Sequence, residues 1–151
     1  MVASTLALLL ALAQAPSPGP ATPGPAAPQA TLAFAVDGVR NGTGQLLLAV
    51  YTSSAAWLDL TRAARVLRLP ARQGTVFGVM EGLPVGTCAV AVFHDENGNG
   101  TLDMAWFPLP GPTEGIAASN GAAGRFGPPS FEDARIDCRA GETVLRLKLS
   151  Y

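Results

Sequence analysis

Short runs of aliphatic, β-branched and aromatic residues alternate along this chain with turns of Gly, Pro, Asn and Asp. The clearest run covers residues 143–149. There the alternation predicts that Leu145, Leu147 and Leu149 face a core while Arg146 and Lys148 face solvent. Seven such strands are predicted, at residues 31–36, 45–51, 65–69, 75–80, 88–94, 134–138 and 143–149. This count, with short turns between the runs, predicts an all-β fold: a small antiparallel β-sandwich of Ig-like type.

Two stretches interrupt the strand pattern. Ser53 and Ser54 are typical helix caps, and Trp57 and Leu60 lie three residues apart, so we expect a short helix through residues 55–61. Residues 104–130 are rich in Gly and Pro and are predicted to form a long irregular loop.

The N-terminal 30 residues do not fit the sandwich. Residues 1–15 form an apolar run ending in Ala13-Gln14-Ala15, which predicts a secretory signal peptide, although no Lys or Arg precedes the run. An uncleaved anchor is the alternative. Residues 16–30 contain six prolines and predict a Pro/Ala-rich linker before a domain at 31–151. We therefore expect a secreted or periplasmic protein with no stable membrane span after signal cleavage.

A nine-residue segment, Asp95-Glu96-Asn97-Gly98-Asn99-Gly100-Thr101-Leu102-Asp103, resembles the front of an EF-hand calcium loop. A hard divalent cation needs six to eight oxygen ligands, and a short loop supplies them when alternate residues point inward around a glycine. The position of the usual terminal Glu is Trp106, so the match covers only half of that motif. The predicted ligand set for a calcium ion is Asp95, Asn97, Asn99, Thr101, Asp103 and Glu114.

The alternative for this segment is a polar turn without an ion, because Asn-Gly-Asn-Gly is itself a strong turn signal. Between Gln73 and Gly124 the chain has five acidic residues and no Lys or Arg, so the local field attracts cations and favours the ion. Magnesium is less well suited, since it keeps most of its waters.

The chain has two cysteines, Cys88 and Cys138, each in a strand-like run. An even count in an exported protein favours a disulfide, whereas two buried thiols are the alternative.

Several segments together resemble one bacterial family. Residues 83–103, with Leu-Pro-x-Gly, a strand and His-Asp-Glu-Asn-Gly-Asn-Gly, are followed by Glu114-Gly115, Ser119-Asn120 and Pro-Pro-Ser-Phe-Glu-Asp-Ala at 128–134. The cadence resembles the DUF2141 family of exported bacterial proteins, over about residues 31–149. That resemblance implies a sandwich similar to transthyretin-like and carboxypeptidase-regulatory domains and implies no activity. The family usually has Tyr at the position of Cys88, so the resemblance does not support the bridge.

The function predicted from the sequence is that of a non-catalytic binding or accessory module of the cell envelope. Its recognition loop would use Trp106, Phe107, Ser119 and Asn120 to hold an extracellular carbohydrate or protein. A net charge of −1 gives no basic surface for nucleic acid. One alternative is a small secreted hydrolase using the Asp95, His94 and Glu114 cluster, although no nucleophile motif is present. Another is a purely structural envelope protein, in which the aromatic side chains would all be buried.

Overall fold

The computed structural model describes residues 27–105, 110–125 and 127–151. The predicted signal peptide and most of the predicted linker lie outside the described residues, as do Trp106 and Phe107. Within these residues there are ten strands: β1 Gln29–Val39, β2 Gln45–Tyr51, β3 Arg65–Pro70, β4 Gly74–Pro84, β5 Gly86–Asp95, β6 Met104–Ala105, β7 Gly111–Pro112, β8 Ile116–Ala118, β9 Arg135–Cys138 and β10 Gly141–Lys148. The helical elements are three 3₁₀ turns, Ser54–Ala56, Leu60–Arg62 and Ser119–Gly121, and one α-helix, α1 Phe131–Ala134. None of the described helices has the length and hydropathy needed to cross a membrane.

The strands form two main sheets and one small hairpin. The first sheet has the order β10-β1-β4, and the second has the order β3-β2-β5-β8, with β9 also paired to β5. Strands β8 and β9 share one edge of β5, because β8 pairs with residues 91–93 and β9 with residues 86–89. Strands β6 and β7 form the hairpin. All these pairs are antiparallel except β1 with β10, which run parallel.

The core lies between the two main sheets. Alternate residues of β1 point into it, and Leu32, Phe34 and Val36 are all buried. Leu46, Leu48 and Val50 of β2 meet them from the second sheet in the same hydrophobic cluster. Leu145, Leu147 and Leu149 are buried while Arg146 and Lys148 are exposed, as the alternation predicts. The all-β, sandwich-like fold expected from the sequence is confirmed.

The outer faces of the two sheets differ. A second apolar cluster covers the outer face of the second sheet, with Tyr51 and Ala89 from the strands packed against Phe131 and Trp57 from the loops. The ring of Trp57 meets those of Tyr51 and Phe131 edge-on, with centroids 5.2 and 6.0 Å away. Every residue of β2 after Gln45 is therefore buried, although it alternates between two different environments.

Three local predictions require correction. The helix predicted at 55–61 is two 3₁₀ turns, separated where Leu58 takes a left-handed φ of 63°. The second turn begins at Asp59, whose carboxylate accepts the backbone N–H of Thr61. The segment predicted to be irregular contains β8, and β1 begins at Gln29, two residues inside the predicted linker. In each case a contact distant in sequence or a local side-chain bond outweighs the pattern.

Candidate functional site

Strand β5 brings the acidic segment to one end of the second sheet. Its last residue, Asp95, lies opposite Gln45 of β2 and is fully buried. The Gln45 amide donates to Asp95 Oδ2 at 2.8 Å, and the backbone N–H groups of Asn99 and Gly100 donate to the same carboxylate at 3.1 and 2.9 Å. The carboxylate of Asp95, the first predicted ligand, is therefore hydrogen-bonded to the backbone of the turn that follows it.

The turn itself is held by its asparagines. Asn97 Oδ1 accepts the backbone N–H of Asn99 at 2.9 Å, and Asn99 Oδ1 accepts that of Thr101 at 2.8 Å. Gly98 and Gly100, which follow the two asparagines, have φ values of 72° and 77°, in the left-handed region that favours glycine. Each asparagine therefore closes a tight turn by accepting the backbone N–H two residues further along.

Asp103 closes the loop. Its carboxylate accepts the side-chain amide of Asn97 and, at 3.2 and 3.3 Å, that of Asn99. Four of the predicted ligands, Asp95, Asn97, Asn99 and Asp103, are thus connected through hydrogen bonds. Thr101 is exposed, and its hydroxyl donates to Asn99 at 2.9 Å.

Glu114 lies beneath the loop. It is 4 % exposed, and its two oxygens accept the backbone N–H groups of Glu96 at 2.9 Å and Asp103 at 3.1 Å. Thr113 donates its own N–H to the Asp103 carbonyl at 2.9 Å. Glu114 therefore fastens the two ends of the loop to the strand that follows, instead of projecting among the other predicted ligands.

Two carboxylates at this end of the sheet, those of Asp95 and Glu96, have lowered pKa values. Burial alone would raise the pKa of Asp95, but the hydrogen bonds from Gln45 and the loop amides outweigh it and lower the pKa below its usual range. The pKa of Glu96 is lowered chiefly by Arg40, whose Nε lies 2.6 Å from the Glu96 carboxylate. The hydrogen bonds to Asp95 come from neutral amides, so none of them brings a compensating positive charge.

His94 points the other way, into the end of the sandwich. It is fully buried; its Nδ1 lies 2.8 Å from the Tyr151 hydroxyl and its Nε2 lies 2.8 Å from the Thr43 carbonyl. Since a carbonyl oxygen only accepts, Nε2 carries the proton in the neutral ring and Nδ1 accepts from Tyr151. Arg40 lies over the Tyr151 ring, 4.4 Å from its centroid. Both nitrogens of the imidazole are therefore engaged within the protein.

The donor set of the loop matches a hard cation in kind. Two carboxylates and two carboxamides, with backbone carbonyls between them, are the oxygen ligands that calcium takes. Among the residues that the structure describes, no cluster of three or more His, Cys, Asp or Glu side chains is suited to hold a metal ion. Any ion here would depend on the asparagines as much as on the acids.

The residues predicted for recognition are divided between the interior and the surface. Ser119 is fully buried; its hydroxyl accepts the Val90 N–H at 2.8 Å and donates to the Ala134 carbonyl. This places it inside the fold, in a structural position. Asn120 is exposed and donates to the Asp133 carbonyl at 3.0 Å. Trp106 and Phe107 lie outside the described residues.

The cysteine prediction agrees with the structure. Cys88 and Cys138 come from paired strands β5 and β9, with Cα atoms 6.1 Å apart and sulfur atoms at the bonding distance of 2.02 Å. Both are buried, so the link lies in the core between the sheets.

Three residues of the site were not found from the sequence. Arg40 reaches the site from the loop after β1, and Gln45 reaches it from the first position of β2. The register of β2 with β5 brings both near the acidic loop. Gly44 has a φ of 72°, and a Cβ there would lie 2.0 Å from the Asp95 carbonyl oxygen. The Asn41-Gly42 pair predicts a turn through Gly44, but nothing in the sequence indicates that this turn packs against the acidic loop.

The fold and this site define a small, disulfide-linked, all-β domain with an acidic turn at one end of its second sheet. The model of a family described as an uncharacterized protein conserved in bacteria, DUF2141, matches residues 34–146. The chain belongs to that family, as the resemblance in its sequence indicated. No curated protein and no solved structure matches the chain.

Proposed function

We propose that this protein is an exported β-sandwich that binds calcium in the 95–103 loop and acts as a non-catalytic binding or accessory module of the cell envelope. The observation that carries the proposal is the convergence of Asp95, Asn97, Asn99 and Asp103 within one hydrogen-bonded turn. Asp95 is both buried and held ionised there, so a cation nearby would recover electrostatic energy that the neutral amides leave available.

The placement of Glu114 supports the same proposal. By holding the amides of Glu96 and Asp103 it fixes both ends of the loop before any ion arrives. A pre-ordered loop loses less conformational entropy on binding than a flexible one. The calcium-bound loop would in turn restrain the start of the neighbouring 105–131 segment, which we propose carries recognition of an extracellular carbohydrate or protein.

The surroundings of His94 favour a non-catalytic role over the hydrolase alternative. A general base must reach the proton that it abstracts from a substrate. His94 is fully buried, with Tyr151 and Thr43 on its two nitrogens. Phe131 is buried, as it would be in a purely structural protein. Only ligand binding therefore distinguishes a binding module from a structural role.

The first test is a thermal melt in EDTA, in calcium and in magnesium, followed by calorimetric titration with calcium. An ion present at about 100 times its dissociation constant stabilises the folded state by about 2.7 kcal/mol, which raises Tm by several degrees. We expect this rise with calcium and a much smaller one with magnesium. Asp103→Asn should abolish the rise, and Asp137→Asn, an exposed acid on β9, serves as the matched control.

Equal melting temperatures in EDTA and calcium would contradict the calcium site. Recognition is tested separately, by titrating soluble envelope oligosaccharides and peptides while following tryptophan fluorescence. We expect a calcium-dependent change in fluorescence that comes from Trp106 and not from the second tryptophan, Trp57. Trp106→Ala should therefore remove the change. A calcium-bound protein that responds to none of these compounds would favour the structural alternative.

A further inference from the structure

The outer face of the first sheet carries large apolar side chains in full contact with solvent. Val144 on β10 is 78 % exposed, Phe77 on β4 is 74 % exposed and Val79 on β4 is 54 % exposed. Between them lie Ala33 and Ala35 of the central strand β1. The second sheet, by contrast, has its outer face covered by loops. Exposed apolar patches of this kind mark sites of association.

The strand register gives this face the shape of a groove. Val144, Ala33 and Val79 form one row across the three strands, and Arg146, Ala35 and Phe77 form the next. The small alanines are the floor, and the larger side chains on β10 and β4 are walls about 10 Å apart, twice the spacing of neighbouring strands. The larger side chains therefore stand above the alanines and are the first to meet a facing surface.

Charge is distributed unevenly along the groove. One end is acidic, with the exposed residues Glu142 and Glu81 on its two outer strands. The other end carries Lys148 and Arg146, with Asp37 opposite Lys148 in the register and bonded to Arg146 at 2.6 Å. The Arg65 guanidinium of β3 also lies at the first end, where it donates to the Glu81 carbonyl at 3.1 Å. The net charges, −1 at the first end and +1 at the second, have opposite signs, so the face is complementary to a reversed copy of itself.

We propose that this face is where a second copy of the chain docks, sheet against sheet, with the strands of the two copies antiparallel. The two-fold axis lies in the interface and runs across the strands. Glu142 of each copy then lies over Lys148 of the second copy, and Phe77 of each lies over Val79 of the second copy. A two-fold axis along the strands would instead place Glu142 over Glu81 of the second copy, and the like charges disfavour it.

The size of the face sets the strength of the contact. Three strands about 4.8 Å apart and four alternate rows about 6.8 Å apart cover about 400 Å² on each copy. The two copies together bury about 800 Å², below the area of about 1,200 Å² at which stable interfaces begin. The dimer is therefore weak and concentration-dependent.

Sedimentation equilibrium tests the proposal on the protein isolated after expression with its own N-terminal segment, in EDTA so that ions do not contribute. We expect monomer at about 10 μM and reversible dimer near about 1 mM. Phe77→Thr with Val144→Thr removes two exposed apolar side chains while keeping β-forming residues, and should weaken the dimer at least about tenfold.

Charge exchange tests the antiparallel arrangement. Lys148→Glu should weaken association, because it places two negative charges opposite each other. Adding Glu142→Lys should restore the dissociation constant to within about twofold of the wild-type value, because the two charges are then exchanged in both Glu142–Lys148 contacts. Arg68→Glu makes the same charge change on β3 of the second sheet and should leave the dissociation constant unchanged. A protein that stays monomeric at about 1 mM, or one whose dimer is unaffected by the two threonines, overturns the proposal. Failure of the exchanged pair to restore the dimer overturns the antiparallel arrangement.

Discussion

Removing the link between Cys88 and Cys138 should lower the free energy of unfolding by about 4 kcal/mol. The two residues are 50 positions apart in the chain. In the chain-entropy treatment, a closed loop of that length restricts the unfolded state by about 14 cal/mol/K, which is about 4 kcal/mol at 25 °C. The perturbation is the double variant Cys88→Ala and Cys138→Ala, which removes the link without burying a new polar group.

A loss of this size is a large part of the 5–15 kcal/mol that stabilises a typical domain, so the variant is expected to be marginally folded. The sulfurs are also buried in the core, and their removal adds a smaller loss of apolar contact. The loop that the link closes contains the whole acidic segment as well as β8 and α1. Loss of the link should therefore also loosen the proposed calcium site.

The assay is equilibrium unfolding in urea, followed by circular dichroism, with and without a phosphine reductant. The variant should unfold at lower urea and with a larger m-value, because its unfolded chain is less compact. Reductant should move the wild-type curve most of the way to that of the variant, because the reduced protein keeps its buried thiols, and should leave the variant unchanged. A loss below about 1 kcal/mol with an unchanged m-value would refute the entropic argument.

Three further predictions concern single positions. Asp95→Asn should make the melting temperature fall less steeply between pH 5 and about pH 2 than it does in the wild type. The lowered pKa of Asp95 in the folded protein contributes stability that is complete above its unfolded pKa of about 3.9. That stability is lost as the pH falls through the folded pKa, and the variant has no such contribution to lose. Ser119→Ala should cost about 1–3 kcal/mol in urea unfolding, because it leaves a buried backbone N–H and carbonyl without their partner, whereas Ser54→Ala at an exposed position should change little; equal losses would contradict the buried hydrogen bonds. Gly44→Ala should prevent folding or shift the acidic loop, since its Cβ would meet backbone, while Gly98→Ala, with a similar φ but open space around it, should cost only about 1 kcal/mol; equal melting temperatures for the two would show that the packing of residue 44 is unimportant.

Local pattern predicted the strands well where one face is buried. Residues 45–51 form β2 with the bounds that the apolar run indicates, and the alternation around Leu147 gives the facing of β10. The parallel pairing of β1 with β10 was not predictable in this way, because each strand has the same alternation whichever direction its neighbour runs. The helix expected at 55–61 failed because Leu58 adopts a left-handed conformation that the helical spacing of Trp57 and Leu60 does not reveal.

By itself, the sequence determined the all-β class, the family and the oxygen-rich composition of the 95–103 loop. These follow from period, turn chemistry and residue type, which act over a few positions. Only the tertiary structure decided that Glu114 supports the loop from below, that Ser119 is internal, and that Arg40 neutralises Glu96. The tertiary structure also leaves the apolar outer face of the first sheet exposed to solvent. Such outcomes depend on which strands become neighbours, and that is set by packing among residues far apart in the chain.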